Sequence, residues 1–376
     1  MFQPVPDPPS RLARYRRLAP SAGVFVSPIQ LGGMSIGDKW PTIGAGGREE
    51  SFKLLDAYAN AGGNFIDTAN MYQDGRSEEL IGEWMEARQN RDEIVIATKY
   101  TGQWQTHNKA VKSQAAFVGN SYKSMYASLE ASLKKLRTSY VDILYVHFWD
   151  YTSSIEEVMN GLHTLVGLGK VLYLGISDAP AWVVSEANRY AKDHGKTPFV
   201  IYQGRWNVTL RDLERDIIPM CRAHGMAIAP WDVLVHGKVR TDEEEEERRK
   251  SGMKGRTGLS ADWERNEDEK KMCKVLEKIA SEVGAKNLRS VAIAYVMQKT
   301  THVFPILGIK TVEQLEANVD ALNIALSSEH ISEIESVLSW DSGFPHNLLG
   351  DGTVPNENVR GTIWYEPDPL PAPFRP

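Results

Sequence analysis

The chain has little cysteine. Cys221 and Cys273 are its only two in 376 residues, and no Cys-x-x-Cys spacing occurs. Neither a thiolate zinc site nor a redox pair is suggested, and two reduced, mostly buried thiols fit a cytoplasmic protein. No apolar run approaches the ~18 residues that span a bilayer. The proline-rich stretch from Met1 to Ser10 lacks the apolar core of a signal peptide and reads as a loose arm. Positive charge is not in excess either. A formal net charge of −6 argues against nucleic acid or an anionic membrane as partner, while leaving room for a local basic pocket for a phosphate. The nine histidines show no HxH or HExxH spacing, so no metal site is expected. Also missing are a Gly-x-Ser-x-Gly elbow, a P-loop, a Gly-x-Gly-x-x-Gly turn after the first apolar run and any obvious internal repeat.

What is present is an ordinary globular composition, 42% hydrophobic and 24% charged, with a regular rhythm. A small hairpin around Gly23–Val26 leads into an apolar run at Ile29–Gly32. Further runs follow at Asn64–Ala69, Ile94–Lys99, Val141–His147, Val171–Ser177, Phe199–Gln203, Ala227–Trp231 and Val303–Leu307. Continuously apolar runs of this kind suit parallel strands covered on both faces. Helical periodicity lies between them, as in Ile155, Val158, Met159, Leu162, Leu165 and Val166, and again in Leu315, Val319 and Leu322. Eight alternations predict an α/β fold, a (β/α)8 TIM barrel with an N-terminal β-hairpin. The expected organisation is an arm over 1–20, one barrel over 21–340 and a tail over 341–376.

Two connections are long: Tyr100 to Gly119, and Val235 to Asp268. Both follow strand C-terminal ends, so both should rise over the catalytic face as lids or loose loops. Within the second, Glu243–Glu247 followed by Arg248, Arg249 and Lys250 reads as a solvated surface segment. The tail carries Phe344, Trp364 and Tyr365 and could either pack around the barrel or wall a substrate pocket.

Three strands end in polar residues that an apolar barrel would not otherwise choose: Asp67, Lys99 and His147. Singly these could be a turn cap, a snorkelling lysine and a satisfied core histidine. Together, at the strand ends where barrels place their chemistry, they form a candidate site. Tyr72 follows Asp67 by five residues. A phenol is a poor acid at neutral pH, with a pKa of about 10, but a nearby ammonium favours its ionised form. Lys99 can supply that charge, Asp67 can hold Lys99 protonated, and His147 can orient a carbonyl oxygen by hydrogen bonding. The group missing is a hydride donor, which a nicotinamide cofactor provides.

At Asp67-Thr68-Ala69-x-x-Tyr72, Ala97-Thr98-Lys99, Asp142-x-x-x-x-His147, Gly175-Ile176-Ser177-Asp178 and Gly308-Ile309-Lys310-Thr311, leading to Gln314 and Asn318, the chain resembles the aldo-keto reductases. The similarity is greatest to the branch of aryl-alcohol dehydrogenases and norsolorinic-acid-reductase-like enzymes, and it covers nearly the whole chain. The resemblance implies Asp67, Tyr72, Lys99 and His147 as a catalytic tetrad, with Tyr72 the general acid, and an extended NADPH bound without a Rossmann fold. It places Ser177, Asp178 and Gln203 at the nicotinamide carboxamide, Trp231 on the nicotinamide ring, and Leu234 and Gly237 in the pyrophosphate loop. Lys310 and Thr311 fall at the 2′-phosphate, and Gln314 and Asn318 near the adenosine. Gly33, Met34, Asp67 and Gly308 fall along the same cofactor. A lysine and a threonine at a strand-to-helix junction make a reasonable phosphate grip.

The chain departs from the pattern at several positions. Asp178 stands where asparagine is frequent, Trp231 where tyrosine is commonest, and Ala317 where a glutamate often precedes the asparagine. Val233 and Lys238 replace a usual proline and leucine, and Lys238 could add a phosphate contact.

The resulting expectation is a cytoplasmic NADPH-dependent reductase of aldehydes or ketones, a monomer or weak homo-oligomer, acting on a small-molecule carbonyl. Trp104 and Trp149, beside Tyr72 and His147, are candidate substrate contacts, with Trp231, Trp263 and Phe344 as further aromatics favouring a flat aryl group. The same tryptophans could equally be core and rim. A rival from another class is a nucleotide-binding regulatory module, like the auxiliary subunits of ion channels, with little turnover. A barrel isomerase or hydrolase would need paired carboxylates or a metal, and neither pattern is visible.

Overall fold

The structure is a computed structural model that describes residues 6–252, 262–350, 353, 361–364, 370–373 and 376. Strands β1 (Arg16–Ala19) and β2 (Ala22–Val26) pair antiparallel. The hairpin therefore begins inside the stretch expected as an arm, because Leu18, Ala19, Ala22 and Val26 are buried against the barrel interior.

Eight parallel strands follow: β3 (Gln30–Gly32), β4 (Phe65–Asp67), β5 (Val95–Tyr100), β6 (Val141–Val146), β7 (Val171–Ser177), β8 (Phe199–Arg205), β9 (Ala227–Trp231) and β10 (Ile306–Leu307). Each lies within two or three residues of its predicted run. Their order is β10-β3-β4-β5-β6-β7-β8-β9. The ring closes where Ile228 N–H donates to His302 O at 2.9 Å and Phe304 N–H donates to Ile228 O at 2.8 Å.

Helices α1 (Arg48–Asn60), α2 (Arg76–Arg88), α3 (Tyr122–Leu136), α4 (Ile155–Gly167), α5 (Ala181–Asp193) and α6 (Ile217–His224) cover the outside between successive strands. The periodic stretch predicted from Ile155 is α4, capped by Ser154, whose hydroxyl accepts from Glu157 N–H. The helix predicted through Leu315, Val319 and Leu322 is α10 (Val312–Val319, numbered after α7 to α9 below); it ends at Val319, and Leu322 sits in a following 3-10 turn.

Side chains alternate across a strand, so residues i, i+2 and i+4 share a face. One face of β5 reads Val95, Ala97, Lys99, and β6 continues Ile143, Tyr145, His147. The lower members of these series, with Phe65, Ile201, Ala227, Ala229 and Phe304, form an apolar cluster that the hairpin plugs from below. The upper members are polar. The interior thus changes from hydrocarbon to a polar layer within two residues, at the strands' C-terminal ends.

The long connection after β9 differs from its expected character. It contains α7 (Asp242–Ser251), opened by a capping box between Thr241 and Glu244, before α8 (Glu267–Val283) and α9 (Leu288–Lys299). The charge run is not wholly solvated. Glu245 is buried, and its Oε2 accepts from Arg240 Nε at 3.0 Å and Arg265 Nε at 2.9 Å. Burial raises the Glu245 carboxyl, but the two guanidiniums more than reverse that and hold it below its usual value. Part of this connection, 253–261, lies outside the described residues. Removing Glu245 leaves the buried Arg240 guanidinium with carbonyl acceptors alone, while Arg265 keeps Asp242 at 2.7 Å, so Glu245→Ala should cost about 3 kcal/mol, the low end for a buried pair broken from one side. Urea unfolding checks this; an unchanged midpoint would mean the insert unfolds apart from the barrel.

Candidate active site

Asp67 ends β4, and Lys99 is the fifth residue of β5. Lys99 is fully buried; its Nζ donates to Asp67 Oδ2 at 2.7 Å, to Thr68 O at 2.7 Å and to Tyr72 Oη at 3.3 Å. Asp67 Oδ1 accepts from Gln203 Nε2 of β8 at 2.9 Å, which ties the tetrad across the barrel. His147 follows β6 directly, its N–H bonded to Tyr100 O, and its ring meets the Tyr72 ring edge-on with centroids 5.9 Å apart. The four residues singled out from the sequence therefore meet at one point.

Tyr72 reaches that point through an unusual turn. Gln73 and Asp74 have φ of 55° and 57°, and Gly75 has 90°. Left-handed backbone at a non-glycine costs about 1–2 kcal/mol, so something must hold it. The fully buried Gln73 does, donating from Nε2 to Met34 O at 2.8 Å and accepting at Oε1 from Trp40 N–H at 2.7 Å. Gly33 is required for close approach, since a Cβ there would lie 2.8 Å from Asp67 O.

The electrostatics refine the expectation for Tyr72. Burial pushes its phenol up, Lys99 opposes, and burial prevails, so the proton is held more firmly than in water. Burial also lowers Lys99, but the pull of Asp67 and Tyr72 outweighs it and keeps the ammonium charged. Burial, then the Lys99 charge, pushes the His147 imidazole down to about 3. Its Nδ1 is buried with no hydrogen-bond partner. An unfolded chain binds this proton near pH 6.5, whereas the folded one resists until about 3. Between those values the unfolded state holds more protons, so stability is lost as pH falls. His147→Gln should flatten the fall of Tm from pH 6.5 to 4. An unaltered slope would refute a neutral, buried imidazole.

The groups assigned to a cofactor line the same mouth and one flank. Ser177 ends β7 buried, beside Asp178, which is open to the mouth. Trp231 ends β9, its Nε1 donating to Asp178 Oδ1 at 3.3 Å. Leu234 is partly buried at the start of a turn in which Gly237 has a φ of 81°. Thr311 caps α10 by accepting from Gln314 N–H, Gln314 Oε1 accepts from Lys310 N–H, and Asn318 is buried in the same helix. Lys310 Nζ donates to Thr42 O at 2.8 Å, and Gly308 precedes it in the open. Lys238, which could add a phosphate contact, lies on the same flank. It is buried, and its ammonium pairs with Glu269 of α8 at 3.0 Å.

The aromatic expectations divide. Trp104 packs edge-on against Phe117 and lies under the Lys135 ammonium of α3, 5.5 Å from its ring. Trp149 belongs to the main hydrophobic core, and Trp263 stacks on Arg240. Phe344 is exposed, and Tyr365 lies outside the described residues. Trp40 faces the tetrad, edge-on to Tyr72 at 6.4 Å, and Phe148 lies 6.0 Å from the His147 ring. Sequence reasoning missed Trp40, although an aromatic in the loop after the first barrel strand was the available signal.

Residues 28–339 match the aldo/keto reductase family. The chain belongs to that family. This aldo/keto reductase is 59% identical to an aryl-alcohol dehydrogenase [NADP(+)] of Phanerodontia chrysosporium, over 100% of this chain and 99% of the relative. It is 52% identical to a putative aryl-alcohol dehydrogenase of Saccharomyces cerevisiae, over 93% of each chain. It is 50% identical to norsolorinic acid reductase B of Dothistroma septosporum, over 91% of this chain and 86% of that one. Among the described residues no helix is long and apolar enough to cross a membrane, and no cluster of three or more His, Cys, Asp or Glu could hold a metal.

Proposed function

We propose that this protein interconverts aryl aldehydes or ketones and their alcohols, with Tyr72 as the proton donor in the direction of reduction. It is an NADP-dependent oxidoreductase. The observation that carries the reading is the contact of Lys99 Nζ with both Asp67 and Tyr72, beside a neutral His147. The residues suit the cofactor by their chemistry: a flat indole at Trp231, a hydroxyl, a carboxyl and an amide at Ser177, Asp178 and Gln203, and a cation with a helix N-terminus at Lys310 and Thr311. When bound, the nicotinamide supplies the hydride.

The protein's own part is to place and polarise the carbonyl. Neutral His147 can donate one hydrogen bond to the oxygen and fix its position. The Tyr72 hydroxyl delivers its proton to that oxygen as negative charge develops on it. Lys99 stabilises the phenolate left behind, and Asp67 with Thr68 O keeps Lys99 aimed. Alcohol oxidation runs through the same groups in reverse. Trp40 and the Tyr72 ring offer the edges and faces that a flat substrate would meet.

The test is loss of NADPH absorbance with a panel of aryl and aliphatic aldehydes. Turnover of aryl aldehydes is expected, with NADPH preferred to NADH. Binding without turnover of any carbonyl would replace this reading with a nucleotide-sensing role, and a preference for NADH would remove Lys310 as the phosphate grip.

A further inference from the structure

Two carboxylates at the barrel mouth are ion-paired and a third, beside them, is not. Asp67 has Lys99, and Asp232 has Arg205 at 2.8 Å and His236. Asp178 makes no ion pair among the described residues. Its side chain accepts the Trp231 indole N–H and lies beside the Ser177 hydroxyl. The charged and titratable groups that feel it are Lys99 of β5, Arg205 at the end of β8, Tyr72 beyond β4 and Tyr202 of β8. Both cations are already committed, Lys99 to Asp67 and Arg205 to Asp232. Asp178 is thus ion-paired with neither, although both lower its carboxyl, and its field reaches the hydroxyl that must protonate the substrate.

Any ring that exchanges hydride with a carbonyl held at Tyr72 lies within this field. The oxidised nicotinamide carries a positive charge that the reduced one lacks. A fixed carboxylate nearby therefore acts differently on the two. We propose that Asp178 is a specificity-determining residue that favours binding of oxidised over reduced dinucleotide. This rests on the NADP(H)-dependent reading of the site. Asparagine, which is frequent at this position in the resemblance drawn from the sequence, would be isosteric and carry no such bias.

Two features support it. The indole contact places the carboxylate next to the aromatic plane of Trp231, which ends β9 on the polar layer. The protein packed around Asp178 also pushes its carboxyl up to about 6, a push that its openness to solvent moderates. The charge, and with it the bias, should fade as pH falls below that range.

The experiment measures Kd for NADP+ and for NADPH, by tryptophan fluorescence or calorimetry, on the wild type and on Asp178→Asn. Asparagine retains an oxygen for the Trp231 N–H and removes only the charge. At pH 8 the ratio Kd(NADP+)/Kd(NADPH) should rise about tenfold in the variant, the effect of one partly screened charge. At pH 5 the two proteins should converge. The 2′-phosphate titrates in the same range but is common to both dinucleotides and cancels in the ratio. Asp178→Ser, which also removes the charge, should shift the ratio in the same direction and serves if the asparagine variant folds poorly. Equal ratios in wild type and variants, with both dinucleotides bound, overturn the proposal and leave the proposed function standing. Failure of the wild type to bind either one overturns the reading of the site itself.

Discussion

Tyr72→Phe should lower kcat for carbonyl reduction by at least ~100-fold, the low end of what a positioned general acid contributes, while NADPH binds as before. The substitution removes one oxygen. The ring keeps its edge contacts with Trp40 and His147, and Lys99 Nζ keeps Asp67 Oδ2 and Thr68 O as acceptors. Stability should therefore change little, and a fall in rate reports chemistry. The phenol proton is held by burial, which outweighs Lys99, so the acid is in its protonated form at neutral pH. Lys99 acts on what remains after transfer, since its ammonium favours the phenolate. A KM effect without a kcat effect would assign Tyr72 to substrate binding. Full activity would leave His147 as the donor at that point and end the role of Tyr72.

The parts of this site that could be read from the sequence depend on short-range rules. Period-two alternation carries Val95 and Ala97 to Lys99, and Ile143 and Tyr145 to His147, on one strand face, so a polar residue closing an apolar run declares its position. The same regularity makes the barrel legible. What was hidden depends on partners far along the chain. Trp40 faces Tyr72 because Gln73, 33 residues later, bonds its backbone N–H. The pairing of Lys238 with Glu269 of α8 is likewise invisible in its local sequence. Glu245 looked solvated because a charge run shows no sign that Arg240 and Arg265 will close around one of its members. The net shift at Tyr72 was hidden for another reason. The ammonium could be foreseen, but burial acts through packing that no local pattern reports.

Lys99→Met should have the largest combined effect, on stability and on rate. Methionine approximates the lysine stem but leaves the Asp67 carboxylate buried with only Gln203 Nε2 as a side-chain donor. Breaking a buried ion pair from one side costs about 3–5 kcal/mol. A domain's whole stability is about 5–15 kcal/mol, so a marked drop in Tm is expected. Asp67→Asn alone should be comparably harmful, because it strands the ammonium. The double variant Lys99→Met, Asp67→Asn leaves no uncompensated charge and should recover most of the lost stability, a large favourable coupling in a double-mutant cycle. Activity should not return with it. Without Lys99 nothing opposes the burial that raises the Tyr72 phenol, and the phenolate formed on proton transfer loses its nearest cation. The double variant should therefore melt near the wild type yet turn over at least ~100-fold more slowly. Activity that recovers in step with stability would reduce Lys99 to a structural lysine and leave Tyr72 to act without electrostatic help.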